Sequence, residues 1–261
     1  MDEELIVRVY VLFWLAVLGS VAGSFADCMV SRYLRGENVF LGRSRCQDCG
    51  RVLGVKDLVP VFSYLAGRGR CRYCGGKIPK ECLVAELAGA MIYVGMGIRF
   101  GISEELIMWI LAGSLLLLLS LVDVAKRIIP DAILFWLAAI RILFVFILRE
   151  PFLDTAVSMA AGACLVPGAL LILVLLADHL TQKESMGGGD IKLLFVLGLY
   201  LDWMQMLLLL LTASLLGILA ALPDVLRKEK KAIAFGPFLS AGCFFVVWFG
   251  DPLLSWYRAL F

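Results

Sequence analysis

By length alone, a chain of 261 residues has room for one or two soluble domains. Its composition, 62% hydrophobic and 18% charged with a mean hydropathy of +0.93, lies far outside the soluble norm. The net charge of +2 is small and no basic, aromatic-interleaved surface is present, so nucleic acid is not an expected partner. The lipid bilayer is, because several apolar runs reach the roughly 20 residues that a spanning helix needs.

The N-terminus, Met1-Asp2-Glu3-Glu4, is acidic, whereas a secretory signal opens on basic residues, and no small-x-small cleavage site follows the first apolar run. That run is therefore expected to be a retained membrane helix. The apolar pattern predicts helices near 5–26, 82–100, 104–122, 132–148, 153–177, 191–201, 203–222 and 235–256. The expected fold is thus an all-α polytopic membrane protein of about eight transmembrane helices, with a large cytoplasmic zinc-binding loop after the first. Three parts are expected: residues 1–30 as the first helix, 31–80 as the loop, and 81–261 as a seven-helix membrane core.

Orientation follows from Lys and Arg. Eleven of them fall within residues 31–80, and Lys126, Arg127, Lys183, Arg227, Lys228, Lys230 and Lys231 fall on the same side. Those connections are expected to face the cytoplasm, with both termini outside. Arg141, near the middle of the fourth predicted helix, either snorkels outward or lines an internal polar site.

The loop carries Cys46-Gln47-Asp48-Cys49 and Cys71-Arg72-Tyr73-Cys74, with 21 residues between the pairs. Two C-x-x-C pairs at such spacing read as a four-thiolate zinc site of Cys46, Cys49, Cys71 and Cys74. Each pair is followed by glycine, which lets backbone N–H groups turn toward the sulfurs. A reducing cytoplasmic location disfavours disulfides, and a closed four-cysteine site organises a loop without catalysing. The other cysteines, Cys28, Cys82, Cys164 and Cys243, lie along apolar segments and read as packing residues.

The segment Ser185-Met186-Gly187-Gly188-Gly189-Asp190-Ile191-Lys192 interrupts the apolar pattern where a short helix begins. Its glycines permit close backbone approach or a positive φ. Asp190 reads either as a helix N-cap or as a functional carboxylate at the membrane boundary. Asp123 lies at the end of the third helix, on the same face by topology. Its alternative reading is a solvated helix end partnered by Lys126 or Arg127. Two neighbouring carboxylates share a proton, so one acts as base and the other as acid, which activates water against a peptide carbonyl. Asp131 is a reserve partner or the start of the fourth helix. Gly187, Gly189 and Lys192 support the site, with Lys192 either tuning Asp190 or meeting an anionic lipid or substrate.

Absences narrow the chemistry. The single histidine, His179, sits in a polar loop without a nucleophile-elbow motif, so HExxH and Ser-His-Asp mechanisms are excluded. No Walker A or Rossmann glycine pattern occurs. Two rival readings are a transporter that couples protons through Asp123 and Asp190, and a non-catalytic scaffold of a secretion system. The transporter predicts an internal repeat or paired broken helices, and only one glycine-broken segment is present.

Several segments together resemble the type IV prepilin peptidases, bifunctional leader peptidases and N-methyltransferases. Gly23-Ser24-Phe25 is similar to their GSF signature. Ser44 to Cys49 and Arg68 to Cys74 are similar to their cysteine loop, and Val59 to Leu65 to their P-x-x-SYL segment. Glu86 resembles the glutamate opening the second helix. Asp123 with Ile129-Pro130-Asp131 resembles the first aspartate segment, and Gly187 to Lys192 the GxGDxK segment. The resemblance implies cleavage of the basic leader of a type IV prepilin or pseudopilin after glycine, at the cytoplasmic face of the bacterial inner membrane, by Asp123 and Asp190. It also implies N-methylation of the new terminus with S-adenosylmethionine, an activity associated with the first helix end and the cysteine loop. The chain departs from the family pattern at Asp27, where asparagine is usual. It departs also at Cys46-Gln47-Asp48-Cys49, where C-P-x-C is usual, and at Lys80-Glu81-Cys82, where R-Y-P is usual.

Overall fold

The computed structural model describes residues 3–39, 42–182, 186–226 and 233–259. Lys183, Ser185, Arg227, Lys228, Lys230 and Lys231, which entered the readings above, lie outside these residues. Among the described residues the structure is helical, with no strand beyond two isolated bridges. The chain forms two compact units, Met1–Leu121 and Val122–Phe261.

The first unit contains α1 (Glu3–Arg35), α2 (Phe62–Ala66), α3 (Lys80–Phe100) and most of α4 (Glu104–Lys126). The second contains the last turn of α4, then α5 (Asp131–Ile147), α6 (Phe152–Thr181), α7 (Gly188–Leu197), α8 (Trp203–Leu226) and α9 (Gly236–Arg258). All eight predicted membrane helices are present as helices. Six of them, α1, α3, α4, α6, α8 and α9, are long and apolar enough to cross a membrane. Helix α5, with 17 residues, falls just short. The ten residues of α7 rise only about 15 Å, half a bilayer core.

Several helices outrun their apolar stretch. Helix α1 continues past the predicted residue 26 to Arg35, ending on Arg32 and Arg35, cations that suit a helix C-terminus. Hydropathy ends where the apolar pattern ends, whereas hydrogen bonding continues into water. The same extension carries α4 to Lys126, which puts Asp123 inside a helical turn rather than beyond one.

In the first unit α1 and α3 cross at very close range. A Cβ at Gly19 would strike Gly89, and one at Gly23 would strike the Ala85 carbonyl. As one helix ascends the other descends, so the two run antiparallel. Small residues at this spacing let backbones touch where lipid gives helices no hydrophobic reason to associate. In the second unit α7 is enclosed by α5, α6 and α9, and buries Ile191, Leu193, Leu194 and Leu197. Gly162 of α6 and Gly198 just after α7 make a second glycine-to-glycine contact.

Arg141 resolves inward. Its guanidinium forks onto Glu150 at 2.8 and 2.9 Å, and its Nε donates to the Leu199 carbonyl at 3.0 Å. Hydrogen bonding from Arg141 holds the Glu150 carboxyl below the usual glutamate range. The Tyr200 hydroxyl donates to the Leu137 carbonyl at 2.6 Å. Two bonds thus fasten the chain just beyond α7 to α5.

Candidate active site

Helix α7 starts inside the glycine segment. Its N-cap is Gly187, and Asp190 lies in its first turn. The N-cap reading of Asp190 is thereby replaced, and a carboxylate in the first helical turn is favoured by the helix dipole. None of Gly187, Gly188 and Gly189 takes a positive φ, so the glycines serve close approach. A Cβ on Gly189 would lie 3.0 Å from the Ile129 Cβ, and one on Gly187 would lie 3.2 Å from Asp190 Oδ2.

Asp123 is 5% exposed, so it is not a solvated helix end. Its Oδ2 accepts a hydrogen bond from the Gly236 backbone N–H at 2.8 Å. Gly236 is the first residue of α9, whose leading N–H groups have no partner within their own helix. The carboxylate is oriented at one oxygen by a donor from another helix. Arg127 acts electrostatically on Asp123, and so does Asp123 on Asp190. Three helix ends therefore converge in the second unit, bringing two acids together with one backbone donor. Such an arrangement can hold and transfer protons between a water and a bound group.

Asp131 and Lys192 pair with each other at 2.8 Å, with side chains 74% and 60% exposed. Lys192 is thus engaged at the rim, and Asp131 turns to it. This surface pair is expected to contribute little to stability.

In the first unit the four predicted thiols meet. The sulfurs of Cys46, Cys49, Cys71 and Cys74 all lie within 4.8 Å of one another, and Cys46 and Cys74 are 3.8 Å apart. Tetrahedral coordination with Zn–S near 2.3 Å needs sulfurs about 3.8 Å apart, so the donors fit a zinc ion. Each C-x-x-C forms the same tight hairpin. Gly50 N–H donates to Cys46 O and Gly75 N–H to Cys71 O, while bridges pair Arg45 with Val52 and Arg70 with Lys77. Gly50 and Gly75 take φ of 67° and 73°, which the turns require. Backbone N–H groups of Tyr73 and Cys74 draw the Cys71 thiol down to about 7. The Gly76 N–H donates to Cys74, but desolvation and the neighbouring thiols push that group up to about 12.

Other polar contacts escaped the sequence reading. Cys82 does more than pack: its thiol donates to Asp27 Oδ2 at 2.9 Å, and Cys28 lies 3.8 Å from the Ser44 hydroxyl. Glu86, 7% exposed, accepts the Val61 N–H at 2.7 Å. Val61 has φ 62° and ψ −52°, and the Phe62 N–H closes a γ-turn on the Pro60 carbonyl at 2.6 Å. A β-branched residue there is strained and must be held by its surroundings. Asp27 and Cys82 stand eight and seven residues from the crossing pair Gly19 and Gly89, so the antiparallel crossing is what brings them level.

A helical multi-pass membrane protein with a carboxylate pair at converging helix ends and a four-thiol loop is thereby defined. Residues 17–100 match the family described as Bacterial Peptidase A24 N-terminal domain, and residues 110–222 match the Type IV leader peptidase family. A prepilin leader peptidase/N-methyltransferase of Bacillus subtilis (strain 168) is 33% identical over 253 residues, 93% of this chain and 96% of that protein. A Pseudomonas putida protein of that name is 30% identical over 94% of this chain and 93% of its own. One from Legionella pneumophila is 31% identical over 84% and 77%. No solved structure matches the chain significantly. The chain belongs to the prepilin leader peptidase/N-methyltransferase family, and it is an enzyme.

Proposed function

We propose that this protein is a membrane aspartic endopeptidase that removes the basic leader of type IV prepilins or pseudopilins after glycine, and then N-methylates the exposed terminus. The observation that carries the peptidase reading is the pair Asp123 and Asp190, on different helices and within electrostatic reach of each other. One carboxylate takes a proton from water while the water oxygen bonds to the scissile carbonyl carbon. The carbon–nitrogen bond then breaks, and the other carboxyl delivers its proton to the departing amine. The Gly236 N–H fixes Asp123 for this exchange.

The excess of Lys and Arg in the connecting loops supports the cytoplasmic face of the inner membrane as the side of this chemistry. There a substrate keeps its apolar helix in the bilayer and presents its leader to the carboxylates. Cys46, Cys49, Cys71 and Cys74 would hold a structural zinc ion, which ties the two hairpins together. S-Adenosylmethionine, when bound, supplies a methyl group on a sulfonium sulfur. The residue division into first helix, zinc loop and membrane core follows the same reading.

The test is leader cleavage in membranes carrying a prepilin-like substrate with wild-type chain, Asp123→Asn or Asp190→Asn, beside labelled-methyl transfer onto precleaved substrate. Both variants are expected to express normally, to lose cleavage by at least about 10³-fold and to keep methyl transfer. Cleavage at the wild-type rate in either variant removes that residue from the mechanism.

A further inference from the structure

Helix α3 sets a depth scale for the first unit. Its cations, Lys80 and Arg99, lie at its two ends, about 28 Å apart along the axis. That is close to the roughly 30 Å hydrocarbon core of a bilayer. Glu86 follows Lys80 along the helix and lies about 9 Å inside that span. On α3 the side chains of Val84, Leu87 and Met91 are exposed at 61%, 43% and 68%. In a helix long and apolar enough to cross a membrane, they form the lipid-facing surface.

The Val61 N–H donates to Glu86 at 2.7 Å, which fastens the start of α2 at this depth. The bend at Val61, with φ 62°, turns the chain into α2 at that point. Phe62 and Leu65 then stand 74% and 61% exposed on one face of the helix, three residues apart. Val55, Leu58 and Val59, just ahead, are exposed as well. Ser63 and Tyr64, by contrast, line the cavity beside the cysteine loop. Lys56 and Arg68, both exposed, flank the apolar run. An apolar face between cations suits a segment lying in the plane of the interface, sunk about 5–10 Å into the headgroup and acyl boundary. The depth set by Glu86 falls in that range. In water, both the strained turn and the apolar face would go uncompensated.

We infer that α2 is an interfacial anchor, with Phe62 and Leu65 entering the leaflet on the loop's side of the membrane, continuous with the lipid-facing surface of α3. This placement rests on the membrane helices of the first unit and on neither activity proposed above. The two C-x-x-C pairs lie on either side of α2 in the chain, so the anchor holds the cysteine loop down against the membrane surface. A substrate's apolar helix is the other occupant such a face fits. The depth of α2 and its continuity with α3 favour the bilayer.

Purified full-length chain is reconstituted in vesicles of phosphatidylethanolamine and phosphatidylglycerol. Three variants carry a photoreactive side chain: Phe62→p-benzoylphenylalanine, Leu65→p-benzoylphenylalanine and Glu37→p-benzoylphenylalanine. Glu37 lies beyond the last turn of α1 with its side chain 56% exposed, and serves as the water-side comparison. All three positions are exposed, so the larger ring displaces no packed core residue. After irradiation the adducts are identified by mass. The Phe62 and Leu65 variants are expected to give phospholipid acyl-chain adducts in at least about tenfold higher yield than the Glu37 variant. Yields at both positions no higher than at Glu37 overturn the anchor. A prepilin-like substrate, added before irradiation, that takes the cross-link away from lipid at Phe62 overturns it too, because the face then belongs to a substrate helix.

Discussion

Replacing Arg141 by methionine removes a side chain that is 11% exposed and takes away the Arg141 donors of three acceptor atoms, with the Thr155 side chain still bonded to Glu150. Breaking a buried ion pair costs about 3–5 kcal/mol. Glu150, at 24% side-chain exposure, recovers part of this from water, so about 3 kcal/mol is the expected loss, roughly a hundredfold in the folding equilibrium. Glu150→Gln keeps the shape and loses the charge, and is expected to cost about 1–2 kcal/mol. The double variant should fall short of the sum by about 1 kcal/mol or more, because both substitutions delete the same fork. Arg141→Lys keeps the charge but not the fork, and should lie between wild type and Arg141→Met. The assay is reversible denaturant unfolding in mixed micelles, with leader cleavage as a second readout because this brace anchors the end of α7. The Glu150 carboxyl is held low in the folded protein. Its contribution is therefore complete above the unfolded value of about 4.3 and is lost as pH falls through the folded value. Wild type should lose its advantage over Arg141→Met on acidification. Additive single effects, or a gap between wild type and Arg141→Met that is unchanged on acidification, would refute the reasoning.

Lys192→Met and Asp131→Asn each remove an exposed ion pair, and stability should change by less than about 1 kcal/mol. Leader cleavage by Asp131→Asn within a fewfold of wild type would also retire Asp131 as an alternative to Asp123. Gly23→Leu drives a side chain into the Ala85 backbone, and the first unit should lose about 3 kcal/mol or more, read as increased proteolysis between α1 and α3. Chelation, or Cys46→Ser with Cys74→Ser, should make the loop protease-sensitive and remove one equivalent of zinc from the purified protein. A loop equally resistant with and without metal would refute the structural role of zinc.

Period and composition determined a great deal by themselves. Long apolar runs separated by charged loops specify helices because a backbone in lipid must satisfy its own hydrogen bonds, and all eight predicted helices formed. Two C-x-x-C pairs, each ending in glycine, specify local hairpins that turn sulfurs to a common side, and the four thiols did converge. Asp123 and Asp190 read as a pair because the Lys and Arg pattern is expected to put both on one face.

What the chain in one dimension could not carry was direction across helices. Arg141 had two readings until the fold set Glu150 and the Leu199 carbonyl within its reach. The helix end that orients Asp123 lies 113 residues away at Gly236, and no local pattern announces such a donor. Asp27 and Cys82 looked like independent departures until the Gly19–Gly89 crossing put them 2.9 Å apart. Hydropathy and short-range spacing are local and survive in the string. The partner of a polar group in an apolar protein depends on which helices cross and at what depth, and only the tertiary structure decides that.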